Sequence, residues 1–539
     1  MAHKTMIGGT SYSVTGGTSM VSGTNYNIKK GKTLVGGTGY DINFDDVIID
    51  MTPYAMLYSD GSMVFQHGDE VESGKTLSNK YTGFHNRSYV NGSVVPWNSS
   101  RNNIKNVSFK DKISPISIAY WFNDVSNLKT VNLSNFDWNN VIDMSYAYYY
   151  CTNLTSSPVC GNNVTNMSYT YYNCYNLRGR PVCGNNVTNI NYTYYNCQNL
   201  TGSPVCGNNV INMAGAYYYC TNLTGFPVCG DKVTNMSSVY YSCYKLTGSP
   251  VCGDNVTDMR STYHNCCNLR GSPACGNNVT SMDMTYCNCR NLTGSPVCYD
   301  KVIYMSGTYL NCTNLTGSPV CGNNVTNMSN TYCNCSNLTG SPVCGDNVIY
   351  MNFAYYNCKN LTGSPVCGDN VANMHSTYSG CTNLTGSPVC GDKVTNMGFA
   401  YNNCQNLTGS PVCGDNVTSM INTYNNCHNL TGSPVCGNNV TNMSYTYCNC
   451  SNLTGSPVCG INVTNMHSTY KDCYNLTGSP VCGDNVTDMR STYGGCNKLT
   501  GPPVCGNKVT DMRYAYHNCY NLKGSPICGD KVNSMIGTY

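Results

Sequence analysis

The sequence predicts a repeat solenoid: 23-residue coils of short parallel strands and short helical turns, preceded by a small all-β N-terminal region. Three observations carry this. Two cysteine series run in register, one from Cys151 through Cys174 and Cys197 to Cys519, the other from Cys160 through Cys183 and Cys206 to Cys528, each with 17 members spaced by 23. Pro, Leu, Met and Tyr keep the same period, as Pro388, Leu384, Met397 and Tyr401 do. The period is too short for a domain and too long for a heptad, but it is the size of one solenoid coil. A single coil has too few apolar side chains to offset the entropy of ordering it. Stacked on its neighbours, each position becomes a continuous ladder and burial suffices.

Taken in order, residues 1–45 read as a β-hairpin anchor. "IGGTSYSV", "VSGTNYNI" and "VGGTGYDI" begin at Ile7, Val21 and Val35, a spacing of 14, and Gly-Thr before alternating Tyr and β-branched residues is a hairpin signal. Residues 46–116 read as a small β domain, with a hairpin around Asp60-Gly61 in "AMLYSDGSMVF". Residues 117–539 are the solenoid. Within a coil, Val394, Met397, Tyr401 and Cys404 follow helical spacing, which predicts a helical turn around "AYNNC". Pro388 lacks a backbone donor and belongs at a strand start or a corner. "VC" after it and "VTNM" further on are the extended candidates. Gly391 marks a turn, although Tyr299 in the same place of another coil shows that positive φ is not obligatory there.

Composition narrows the function. Net charge is +3 with 10% charged residues and no Lys/Arg cluster, which argues against a nucleic-acid partner. Apolar runs of a few residues are far short of the ~20 that span a membrane. "MAHKTMIGGTSYSV" has no apolar leader core. Folding under reducing conditions is therefore expected, with the cysteine ladders as buried thiols. Stacked cysteines within about 7 Å of one another leave disulfides open as the alternative. The chain stops on the ladder residue Tyr539, so an uncapped last coil is expected, one that either frays or is covered by a partner.

Motifs that suggest chemistry do not carry it. The "GKT" tripeptides at Gly31 and Gly74 have Tyr26 and Asp69 where a phosphate loop needs Gly. Cys-x-Cys at Cys287/Cys289, Cys333/Cys335 and Cys448/Cys450 places extra thiols on separated coils, not one zinc site. His264 and His517 share one repeat position and His375 and His467 another, many coils apart, with no triad partners. "GDN" alternates with "GNN" and "GDK"; a position that accepts Lys393 is not a calcium ligand. Few acids and no paired carboxylates argue against a glycan-degrading enzyme. No catalytic, cofactor or metal residue is expected. What varies between coils is the pair of positions after the Met, together with the neighbours of the ladder Tyr. Tyr169, Arg260, Phe353, His375, Phe399 and Tyr514 are the candidate ligand-face residues on that stripe.

"CTNLTGSPVCGNNVTNMSNTYCNC" and residues 117–144, with "NLSNFDWNNV", resemble the BspA-like leucine-rich repeat family. The motifs shared are Cys-x-x-Leu-Thr, Val-Thr-x-Met and Asn-Phe-Asp-x-x-x-Val. The chain departs by placing Tyr where Phe is usual and "PVCG" where a more regular apolar strand is usual. The resemblance implies a leucine-rich-repeat-like binding scaffold. Residues 1–45 resemble structural proteins of tailed phages of Gram-positive gut bacteria. Together these imply a virion tail- or fibre-associated protein, made in the host cytoplasm, that meets a host-surface protein or glycan through the repeats and other virion proteins through residues 1–45. The alternative implied is an adhesin on the bacterial cell surface with the same repeats.

Overall fold

Backbone hydrogen bonding explains why the repeat is so strict. The computed structural model describes residues 4–7, 10–13, 30–35, 38–43, 51–525 and 527–539. The chain divides into two compact units, residues 1–177 and 178–539.

In the first unit, β1 (Lys4–Ile7), β2 (Thr10–Ser13), β3 (Lys30–Val35) and β4 (Thr38–Asn43) form one antiparallel sheet in chain order. The hairpin expected from Val21 lies outside the described residues. A second sheet has the order β7-β5-β6-β8-β9, with β5 Pro53–Tyr58, β6 Ser62–His67, β7 Leu77–Thr82, β8 Asn106–Phe109 and β9 Thr130–Asn132. The β5–β6 turn sits at Asp60-Gly61: Gly61 has φ +89, and Ser62 donates its N–H to the Asp60 carboxylate at 2.8 Å. Pairing becomes parallel from β6 to β8 and from β8 to β9, so coil stacking starts on β6, upstream of residue 117. Phe65 packs against Phe84, Trp97, Phe109 and Trp121 at centroid distances of 4.6–5.6 Å. Trp97 Nε1–H donates to the Trp121 carbonyl at 2.6 Å. This aromatic layer closes the first end of the coil interior, as a capping element must.

The second unit repeats one design. Coils meet through a parallel bridge at the residue before the ladder Met, as in Asn373 to Asn396 and Asn396 to Ser419, and the last two add a second bridge from Val504 to Ile527. Beyond that bridge, amides alternate between two destinations. Met397, Phe399, Tyr401 and Asn403 donate to the next coil, to the carbonyls of Ser419, Ile421, Thr423 and Asn425, at 2.8–3.2 Å. Ala400, Asn402 and Cys404 donate instead to Met397, Phe399 and Tyr401 three residues back, at 2.9–3.2 Å. The stretch expected to be a helical turn is therefore a chain of linked turns. A helix would direct every amide along its own axis and leave none for the neighbouring coil. The switch is made by two left-handed residues per coil, Phe399 at φ 59 and Asn403 at φ 60.

The Pro-Val-Cys segment, expected as extended strand, has no ladder partner in this coil. Its hydrogen bonds go to the ladder tyrosine. Tyr401 donates its hydroxyl to the Val389 carbonyl at 2.7 Å and accepts from the Val389 N–H at 3.0 Å. The same pair recurs at Tyr194 with Val182, Tyr378 with Val366 and Tyr493 with Val481. The two departures from the family pattern thus form one device, in which a phenol stands in for the missing strand. Ladder rings stack with centroids 5.5 Å apart at Tyr401–Tyr424 and at Tyr424–Tyr447.

All 38 cysteines are free thiols. The first series is buried from Cys151 to Cys496, with Cys519 partly exposed, and its thiols donate to the preceding coil, as Cys404 does to the Tyr378 carbonyl at 3.1 Å. The second series is partly exposed, and Cys390 reaches the Gly391 carbonyl at 3.6 Å. Gly391 is not in the left-handed region. A Cβ there would lie 3.1 Å from Cys367 Sγ and 3.1 Å from the Gly368 carbonyl, so its role is close approach of coils. Burial pushes the Cys404 thiol well above its ordinary pKa and Cys390 to about 11, which leaves little nucleophilic thiolate at neutral pH. In the native protein, a maleimide is expected to spare the first series and to label the second slowly. Denaturation without reductant should then label all 38, and a shortfall by mass spectrometry would mean that bridges exist.

Candidate binding face

The linked turns display three positions per coil: the first and second after the ladder Met, and the fifth. The second is held at positive φ in every described coil, from Tyr146 at φ 56 to Tyr514 at φ 56. Glycine or asparagine suits such a backbone best, and Gly215, Gly307, Asn330 and Asn422 occupy it. Tyr169, Tyr192, Phe353, Phe399, Tyr445 and Tyr514 occupy it too. The other left-handed position, just before each first-series cysteine, is mostly asparagine. There Asn288, Asn311, Asn334 and Asn357 chain their amides, each donating to the preceding Asn Oδ1 at 2.7–3.0 Å. Two positions with one backbone requirement thus carry different residues.

In the first unit, Tyr169 is partly buried and stacks on Tyr146 at 4.7 Å, which stacks on Tyr120 at 4.6 Å. The remaining five predicted residues lie in the second unit. Phe353, His375 and Phe399 come together on three consecutive coils. His375 lies edge-to-face between the two phenylalanines, at 5.4 Å and 5.6 Å. Burial lowers the pKa of His375, which favours its neutral form. All three are partly buried. Arg260 is exposed and forks onto Asp258, with Nη2 to Oδ2 at 2.6 Å. It borders a shallow cavity of about 410 Å³ that Asp283 and Tyr304 also line. Burial raises the Asp283 carboxyl above its usual range. Tyr514 is 48% exposed. Beside it, Arg513 pairs with Asp511 at 2.7 Å, and this hydrogen bond lowers the Asp511 carboxyl.

The fifth position was legible only as a variable neighbour of the ladder Tyr. The structure makes it a second aromatic row: Tyr195, Tyr218, Tyr241 and His264 stack at 4.5–4.6 Å. Further along, the same position holds Cys287, Cys333 and Cys448. These extra thiols are buried, because the turn folds that position against its neighbours. His264, His375 and His467 are partly buried. The "GDN" and "GDK" segments are ladder groups: Lys393 Nζ donates to Asn370 Oδ1 at 2.6 Å, and Asn416 donates to the Asp392 carbonyl at 2.8 Å. Among the described residues, no helix is long and apolar enough to cross a membrane.

Bridges and stacked side chains define a solenoid repeat protein with one compositionally variable strip. Comparison with known proteins gives the following. The family described as a Mycoplasma protein of unknown function, DUF285, matches residues 78–183 and 116–227. The Kazal-type serine protease inhibitor domain matches residues 330–353, but there the structure shows a coil like its neighbours, with Cys333, Cys335 and Cys344 free. No curated protein matches the chain. Among solved structures, the chain is similar to a leucine-rich cell surface protein from Faecalibacterium prausnitzii A2-165, at 15% identity, covering 78% of this chain and 93% of that one with a TM-score of 0.31. It is also similar to a leucine-rich repeat protein from Bacteroides ovatus ATCC 8483, at 12% identity, covering 89% and 100% with a TM-score of 0.31.

Proposed function

We propose that this chain is a non-enzymatic binding protein of the adhesin type, displayed on a bacterial cell surface, which holds a surface protein or glycan against its variable strip. The observation that carries the reading is the placement of aromatic rings in the left-handed position after the ladder Met. A bulky L-residue there costs about 1–2 kcal/mol relative to its relaxed backbone. Strain of this kind collects at sites of function. The neighbouring left-handed position, with the same φ, mostly takes asparagine, so the backbone alone does not call for rings. Many equivalent rings on a repeating scaffold act by multivalency, with no chemical step. The Faecalibacterium protein is described as a cell surface protein, and the same placement is proposed for this chain on the strength of its strip. The tailed-phage reading of residues 1–45 gains no support, and the surface adhesin takes its place here.

Replacing Phe353 and Phe399 together with Asn tests the reading. Asparagine tolerates the left-handed backbone, so melting should hold or rise slightly. Binding to a panel of immobilised glycans and extracellular proteins should fall by about 10-fold or more, the scale of losing buried aromatic anchors. Unchanged binding to every ligand that the parent captures would show that the strip is not the recognition face. A sharp loss of melting temperature would show that these rings are core.

A further inference from the structure

We propose that the second cysteine series is a binding column for soft monovalent metal ions of the copper(I) and silver(I) class, with its best-formed site at Cys344, Met351 and Cys367. This proposal is independent of the recognition face, since it concerns the Pro-Val-Cys-Gly corner of the coil.

Sulfur is brought to sulfur here by the fold. Cys344 Sγ lies 3.5 Å from Met351 Sδ, seven residues on. The pair recurs at Cys275 with Met282, at 3.5 Å, and at Cys298 with Met305, at 3.4 Å. In a helix, residues seven apart are separated by about 10 Å along the axis; the coil closes that gap by folding the ladder Met under the cysteine. Met351 is fully buried, whereas Cys344 is partly exposed, so the thiol is open to solvent and the thioether lies enclosed behind it. The next coil adds Cys367, also partly exposed. Cys344 and Cys367 line one surface cavity of about 590 Å³, with Asp346 and Asp369 at its walls. Two carboxylates beside the thiols draw cations to the entrance.

The donor set selects the metal. Thiolate and thioether ligands suit soft ions such as copper(I). Zinc takes four ligands from thiolate, imidazole and carboxylate. Among the described residues, no group of three or more His, Cys, Asp and Glu side chains converges to supply them. Binding breaks the S–H bond of Cys344 heterolytically. The proton leaves to solvent, the sulfur forms a bond to the metal, and Met351 Sδ donates a lone pair. The metal stays monovalent and no electron is transferred.

The test uses the full chain, free of oxygen, chloride and added thiols, titrated with silver nitrate. Modification of Cys344 and Cys367 by maleimide is followed at each step by peptide mass spectrometry. Silver is expected to protect both, and zinc sulfate at the same concentration neither. Met351→Leu conserves volume and should leave circular dichroism and melting unchanged. It should move the silver concentration that half-protects Cys344 upward by about 10-fold or more, a change that even outer-shell substitutions produce at metal sites. Absence of silver protection overturns the proposal. So does equal protection by zinc, or an unshifted midpoint in the folded Met351→Leu protein.

Discussion

Raising the pH from about 8 to about 11 is expected to unfold the coils in a steep transition, because the coils before the last carry buried thiols and buried phenols that must stay protonated. Burial pushes Cys404 well above its ordinary 9.0 and Tyr401 well above its ordinary 10.0. Cys381 rises to about 12. In the unfolded chain these groups ionise at their ordinary values. Above pH 9.0 the unfolded state therefore binds fewer protons than the folded one, and stability falls as pH rises. The stabilisation is fully present below that point and is lost as the pH climbs toward the folded values. Each titrating group contributes a slope of about 1.4 kcal/mol per pH unit. The groups recur in coil after coil, so the slopes accumulate. Tyrosinate absorbance and circular dichroism should change together. Ionisation of the ladder tyrosines near their ordinary value of 10.0 with an unchanged dichroism spectrum would show that they are open to water.

Tyr401→Phe is expected to be among the most damaging single-atom changes available. It removes one oxygen from a fully buried ring and leaves two backbone groups of Val389 without their partner. A backbone group left unpaired away from water costs about 1–3 kcal/mol, and Val389 is partly shielded. Tyr356→Phe, on a partly exposed ring of the variable strip, should stay within about 0.5 kcal/mol of the parent. Chemical denaturation of both variants decides the matter. Equal stability of the two would mean that the Val389 groups find other partners and that the phenol is only packing. Hydrogen exchange gives a local check, since the Val389 amide should lose protection in the first variant and keep it in the second.

How far the sequence could be read depends on whether a signal is periodic. Cys404, Met397, Leu407 and Val394 are all fully buried, and their recurrence every 23 residues was enough to place them in a stacked core. The Lys393 argument against calcium was also legible, because a ligand position cannot accept a cation. The helical turn expected around "AYNNC" is a run of linked turns instead, for an instructive reason. A spacing of three and four residues arises in any backbone that buries one side every turn, and linked turns of alternating hand do this as well as a helix does. Handedness leaves its trace in the Asn-rich position before each cysteine, but aromatic residues in the other left-handed position hide it. Of the predicted ligand-face residues, Phe353, His375 and Phe399 meet in space, while the row from Tyr195 to His264 was passed over as mere flanking variation.

The sequence by itself determined that there are coils, how long they are, which side chains form their ladders and which positions vary. Those properties follow from the register, and a register is one-dimensional information. Only the tertiary structure decided where each ladder group sends its hydrogen bond. The Tyr401 hydroxyl reaches Val389 twelve residues back in its own coil, the Cys404 thiol reaches Tyr378 in the coil before, and the amides of residues 397–404 alternate between the two directions. In a periodic chain the partner one coil away and the partner within the coil have the same residue type at every repeat. Choosing between them requires the path of the backbone, which is set by the two left-handed residues and the closeness of neighbouring coils.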